Sequence, residues 1–206
     1  MRVWKYSTGE CLRFFKGHTQ DINAVEVFPS PDARRDDLVI VSASKDTTVR
    51  TWLFAQEKAL KIFDHGPRQK IKAMDVLHKE GQSIVVTGAE DGTLRAWRTK
   101  RDEGDEEHSA MQWKVEKAHK HRVLALCIYT PLPDDDCHFA INVNKHWPAH
   151  LHTPLVFSAS RDGHIRVSNF KDGDDVIPPV TAHTSPITSL AVCSGARGSP
   201  FNKALD

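Results

Sequence analysis

The sequence predicts an all-β chain made of a repeated, four-stranded antiparallel unit. Three observations carry this. One short pattern occurs three times, as SASKDTTVRTW (42–52), TGAEDGTLRAW (87–97) and SASRDGHIRVS (158–168). Apolar residues in and before these copies alternate with period two, as half-buried strands do. Gly, Asp, Asn and Pro cluster between the runs, where turns are needed. A repeat at this spacing marks an architecture in which each unit buries its apolar face only against its neighbours.

Each copy places Ser or Thr first, Asp four positions on, and Trp (or Ser168) six beyond that. Arg50, Arg95 and Arg166 stand two before the last position, and Arg2 with Trp4 matches the tail of a further copy. Upstream of each copy a histidine precedes an alternating run: His18 before INAVEVF, His65 before IKAMDVL and His119 before RVLALCI. His183 precedes a fourth such run, ITSLAVC.

The alternation places strands a to d of the first unit at 22–28, 37–44, 48–54 and 58–64. Those of the second fall at 71–77, 83–90, 93–99 and 111–117, and those of the third at 122–128, 153–160, 164–170 and 176–182. In such a meander the d–a and b–c connections emerge at one end and the a–b and c–d connections at the other. Histidine, before strand a, and aspartate, in the b–c turn, are therefore brought to the same end.

These residues resemble the WD-repeat β-propeller family, whose blades begin near Gly-His and end near Trp-Asp. The resemblance covers nearly the whole chain. It departs from the pattern in three ways: no repeat has Asp after Trp, Gly precedes His only at Gly17-His18, and Ser168 replaces the third Trp. The resemblance implies a β-propeller segment of four-stranded antiparallel blades forming an incomplete ring. Residues 1–18 supply strands c and d of one blade. Residues 19–64, 65–117 and 118–182 make three blades, and 183–206 begin another. The remaining blades of a closed ring, which has 4–8, are missing from this chain.

The resemblance also implies a hydrogen-bonded chain of Trp, Ser/Thr, His and Asp inside each blade. These are His18, Ser42, Asp46 and Trp52, then His65, Thr87, Asp91 and Trp97, then His119, Ser158 and Asp162 without an indole donor. Ser, His and Asp together suggest a hydrolase triad, but a trio recurring at fixed repeat positions behaves as scaffold. Nucleophilic catalysis needs an accessible serine beside an oxyanion site. No phosphate-binding glycine loop or paired catalytic carboxylates stand out, so no enzymatic activity and no cofactor are expected.

Three connections exceed tight turns: 29–36, 100–110 and 129–152. All three project from the rim opposite the His/Asp turns. The longest, 129–152, is a long a–b insertion carrying Phe139, Ile141, Val143 and Trp147, which either packs back on its blade or presents Trp147 as a candidate partner anchor. It also holds Cys137, His138, His146, His150 and His152, yet their spacing fits no defined zinc motif and no metal site is assigned. On the His/Asp rim, Lys45, Arg68, Lys70, Lys120 and Arg161 outnumber Asp21; the expected partners are other proteins or peptides, for which an acidic or phosphorylated peptide is a plausible ligand and an ordinary solvated surface the competing reading.

Charge narrows the partner class. With 28 Lys and Arg against 27 Asp and Glu, the formal charge is +1, and nucleic acid is not favoured as a partner. No apolar run approaches the ~20 residues that span a bilayer, so no membrane partner is expected. Four scattered cysteines and the absence of a signal-like N-terminus point to the cytoplasm or nucleus. The function expected is a non-catalytic protein–protein interaction scaffold within a multiprotein complex. The alternatives are the substrate-recognition subunit of a ubiquitin ligase and a regulatory propeller of a larger enzyme or ribosome-assembly factor. The Trp-Asp-x-Arg string that links some such ligase subunits to their scaffold is absent after Trp52 and Trp97.

Overall fold

The computed structural model describes residues 1–30, 38–56, 58–79, 82–99, 111–131 and 153–192. Among them are fourteen strands and no helix. A two-stranded sheet joins β1 (Arg2–Trp4) to β2 (Cys11–Phe14). Sheet I runs in chain order through β3 (Ile22–Pro29), β4 (Leu38–Ser44), β5 (Thr48–Leu53) and β6 (Ala59–Asp64). Sheet II contains β7 (Ile71–Lys79), β8 (Gln82–Ala89), β9 (Leu94–Arg98) and β10 (Met111–Val115). Sheet III contains β11 (Val123–Tyr129), β12 (Leu155–Ser160), β13 (His164–Asn169) and β14 (Val180–Thr181). Every pairing is antiparallel. This is a β-propeller segment of four-stranded blades in an open ring.

Two strands differ from the alternation. The last strand of sheet III, expected over 176–182, shrinks to the two residues of β14. Pro178 and Pro179 fall in that span and lack the N–H a ladder needs. Asp175 instead makes a single bridge to Ser168. The run after His183 forms no strand within described residues 183–192. Its Ile187 is nevertheless buried against Ala125 and Ala159, and its backbone N–H donates to Ser160 O at 3.2 Å.

Adjacent sheets are cemented by apolar side chains from facing surfaces. Val39, Val41, Ala43, Val49 and Phe63 of sheet I meet Ile71, Met74, Val85 and Trp97 of sheet II. Ala73, Val86, Leu94, Ala96 and Trp113 of sheet II meet Val123, Val156 and Phe170 of sheet III and its approach. Burying each large aliphatic side chain contributes roughly 1.5–3 kcal/mol. Gly88 of β8 lies where a Cβ would sit 2.5 Å from Val123 Cγ1, so sheets II and III approach there as closely as a bare backbone allows.

A second joint recurs at the outer edge. Arg13 Nε of β2 donates to Phe54 O at 3.3 Å, Lys61 Nζ of β6 to Thr99 O, and Trp113 Nε1 of β10 to Phe170 O at 2.8 Å. Each acceptor lies two residues beyond the Trp or Ser that ends the repeat pattern. Three chemically different donors thus perform one task, latching an outer strand to the next sheet.

Candidate functional site

Sheet I assembles a complete polar chain in its interior. Trp52 Nε1 donates to Ser42 Oγ at 2.9 Å, and Ser42 Oγ lies 2.8 Å from His18 Nε2. His18 Nδ1 lies 2.8 Å from Asp46 Oδ2. The indole can only donate, so the serine passes its own hydrogen to Nε2, and Nδ1–H faces the carboxylate. Thr19 N–H and Thr48 Oγ1 also donate to Asp46. Burial would raise the Asp46 carboxyl, but bonds from Thr48, Thr19 and His18 hold it well below the usual range. Burial outweighs Asp46 at His18 and lowers its ring.

Sheet II has the same start and a different end. Trp97 Nε1 donates to Thr87 Oγ1 at 3.3 Å, and Thr87 Oγ1 lies 3.1 Å from His65 Nε2. On the far side of the ring stands Arg95, whose Nη1 is 2.7 Å from His65 Nδ1. A guanidinium has no lone pair to offer, so Nδ1 accepts and Nε2 carries the hydrogen. The ring is therefore the opposite tautomer from His18. Thr87 accepts from that ring and donates to Arg95 O at 3.2 Å. Asp91 is exposed, makes no hydrogen bond to the His65 ring, and accepts Thr93 N–H of its own turn at 3.0 Å. Burial, with the Arg95 charge adding to it, pushes His65 down to about 3.

Sheet III keeps the pair and loses the indole. His119 Nε2 lies 2.8 Å from Ser158 Oγ, while Nδ1 is 3.6 Å from Asp162 Oδ2, too far for a hydrogen bond. His119 Nδ1 is thus buried without a partner, and burial lowers its ring to about 4. Ser168 stands where an indole stands in the other sheets. Arg166 and Asp175 form an ion pair beside it, and Ser168 Oγ donates to Asp175 Oδ1 at 3.4 Å. An indole does enter this interface, from Trp113 on the opposite sheet. The aromatic periodicity of the sequence does not mark Trp113, because it lies on strand d instead of strand c.

The hydroxyls of these chains cannot attack a substrate. Ser42, Thr87 and Ser158 are each 0% exposed. Among the described residues no group of three or more His, Cys, Asp or Glu is placed to hold a metal. Trp147 and the cysteine and histidines of the long insertion lie outside the described residues.

Among the described residues, the His/Asp rim carries accessible charged groups, and three backbone bonds join paired loops there. They run from Lys45 N–H to Asp21 O, Glu90 N–H to Lys70 O and Arg161 N–H to Arg122 O. Lys45 is held by Asp21 at 2.5 Å, and Arg122 faces Glu90 at 3.6 Å. Arg68, Lys70, Lys120 and Arg161 are exposed and have no acidic partner among the described residues. The five cations are thus not equivalent: Lys45 is paired with Asp21, and the four without an acidic partner among the described residues lie on the loops of sheets II and III.

A profile of the WD domain, G-beta repeat family matches residues 9–52 and 57–98. Those two segments, together less than half of the chain, match WD repeats. It is 24% identical over 147 residues to Protein ALTERED SEED GERMINATION 2 of Arabidopsis thaliana, covering 70% of this chain and 17% of that protein. It is 30% identical over 99 residues to the nuclear distribution protein PAC1 of Saccharomyces cerevisiae, covering 46% of this chain and 18% of that protein. The PAC1 protein of Arthroderma benhamiae is 40% identical over 52 residues, 25% of this chain and 10% of its own length. The chain therefore spans less than a fifth of each of these relatives. In three dimensions it matches the computationally designed Ika4 protein with a TM-score of 0.59 at 20% identity, covering 88% of this chain and 85% of that one. WD-repeat propellers generally mediate protein–protein interactions and are generally non-catalytic.

Proposed function

We propose that this chain is a non-catalytic scaffold whose His/Asp rim receives an acidic or phosphorylated peptide from a partner protein. The observation that carries the reading is the unpaired cationic sector of Arg68, Lys70, Lys120 and Arg161 on loops that rigid sheets hold in place. Charge-assisted bonds to carboxylate or phosphate are about twice as strong as neutral ones. Burial of the network hydroxyls supports the non-catalytic part of the proposal.

The test is an array of acidic and phosphoserine 12-residue peptides, with hits measured by fluorescence anisotropy at two salt concentrations. The triple variant Arg68→Glu, Lys120→Glu, Arg161→Glu should bind at least tenfold more weakly, and binding to the native rim should fall with salt. Capture of no acidic peptide, or unchanged affinity in the triple variant, would count against this rim.

A further inference from the structure

The loop Thr184-Ser185-Pro186 is pinned at both ends and open between them. His183 N–H donates to Gly163 O at 3.1 Å, and Ile187 N–H to Ser160 O at 3.2 Å. Thr184, Ser185 and Pro186 are all exposed. That exposure is a property of the position. Thr19, Gln20, Lys120 and His121 occupy the same places after His18 and His119, and they stay exposed with the following sheet built against them. Pro186 biases Ser185 towards an extended backbone, the form in which an enzyme cleft takes up an acceptor residue.

The preceding repeat shows what such a loop does electrostatically. Arg122, three residues after His119, faces Glu90 in the b–c turn of sheet II. In the next repeat the charges cannot match. The turn residue equivalent to Glu90 is Arg161, and the loop offers Thr184, Ser185 and Pro186 with no acid. Pro186 takes the place of Arg122, and Ser185, one residue before it, lies with its carbonyl against Gly163 of the same turn, so a negative charge at Ser185 would sit beside the turn that carries Arg161.

We propose that Ser185 is a phosphorylation site for a proline-directed protein kinase, and that its phosphate docks on Arg161. Ser185 Oγ attacks the γ-phosphorus of ATP. The Oγ–P bond forms as the bond from that phosphorus to the β–γ bridging oxygen breaks, ADP leaves, and the hydroxyl proton passes to the kinase's base. A phosphoserine carries roughly −1.5 to −2 charges at pH 7 and three acceptor oxygens, which suit a guanidinium. The run that follows forms no strand among described residues 183–192, so opening it for a kinase cleft breaks no ladder there. The assignment does not depend on what the cationic sector binds.

The test treats the intact chain with ATP and a mitogen-activated protein kinase, and maps phosphate by mass spectrometry. Site mapping is required because Ser30, Thr130, Thr153 and Ser199 also precede proline. Near-stoichiometric phosphate at Ser185, absent from Ser185→Ala and retained in Thr184→Ala, is expected. Phosphorus NMR then titrates the modified protein. The second phosphate pKa should fall below the ~6 of free phosphoserine and return towards it in Arg161→Gln. Absence of phosphate at Ser185 would overturn the site, whether or not a peptide of residues 180–190 is modified. Equal phosphate pKa values in the native chain and Arg161→Gln would overturn the docking.

Discussion

Arg95 approaches His65 from the side that Asp46 occupies at His18: its Nη1 lies 2.7 Å from Nδ1, while Asp91 stands apart on the surface. Two histidines at equivalent places in one scaffold thus hold their hydrogens on opposite nitrogens. The difference makes the aspartates unequal. Asp46→Ala removes the acceptor of His18, Thr19 and Thr48, and hydrogen bonds to a charged group contribute about 1.5–3 kcal/mol each. Asp91→Ala removes one exposed turn bond and should cost about 1 kcal/mol or less. Urea denaturation of both variants checks the order, and equal losses would refute it.

The serine at the centre of the first chain should be sensitive as well. Ser42→Ala leaves the indole N–H of Trp52 and Nε2 of His18 without their shared partner in a fully buried place. Each orphaned group costs about 1–3 kcal/mol. The Tm by scanning calorimetry should drop by several degrees; a drop of under one degree would show that water enters the site.

Thr47 carries strain that its counterparts avoid. It follows Asp46 with φ at +74°, where the other two turns have Gly92 at +82° and Gly163 at +79°. Left-handed backbone costs an L-residue roughly 1–2 kcal/mol, and a β-branched one is poorly suited to it. Thr47→Gly gives up a surface bond to Asp64 and adds freedom to the unfolded chain. The net expectation is a gain of up to about 1 kcal/mol. The reverse experiment, Gly92→Ala, should destabilise clearly, because a Cβ there would lie 2.1 Å from His119 O.

Acid should weaken the fold through its buried rings. His65 and His119 lie near 3 and 4 in the folded protein, against an ordinary histidine value of 6.5. The unfolded chain therefore binds more protons than the folded one between those values, and stability rises with pH across that interval. Above about 6.5 the contribution is fully present, and it is lost as pH falls towards 4. Tm measured from pH 8 to pH 4 should be flat at first and then decline. A flat profile down to pH 4 would mean the rings are not buried neutral.

Most of the architecture was readable because alternation and turn residues act locally. β4 to β6 and β7 to β9 begin and end within two residues of the places the alternation assigns. The last strand of sheet III was not, since Pro178 and Pro179 veto a ladder that apolar alternation alone would permit. The tautomer reversal at His65 was half visible. Arg95 belongs to an arginine series found in all three repeats, and Asp64 precedes His65 where Gly17 and Ala118 precede the others. Asp64 Oδ1 takes Gly66 N–H at 2.8 Å, whereas in the other repeats the residue after histidine donates to the b–c turn aspartate. Which side chain then fills the place beside the ring is decided by packing between loops far apart in sequence.

His65 and His119 each serve two sheets. The backbone N–H of His65, His119 and His183 binds the b–c turn of the sheet before it, at Thr47 O, Gly92 O and Gly163 O. The rings of His65 and His119 belong to the sheet after it. When one sheet frays, its turn lets go of a histidine whose ring anchors the next sheet. When that next sheet frays first, the backbone clip behind it can stay closed. Damage therefore travels with the direction of the chain more readily than against it, giving this array of similar sheets a mechanical polarity like that of overlapping tiles lifted from one end.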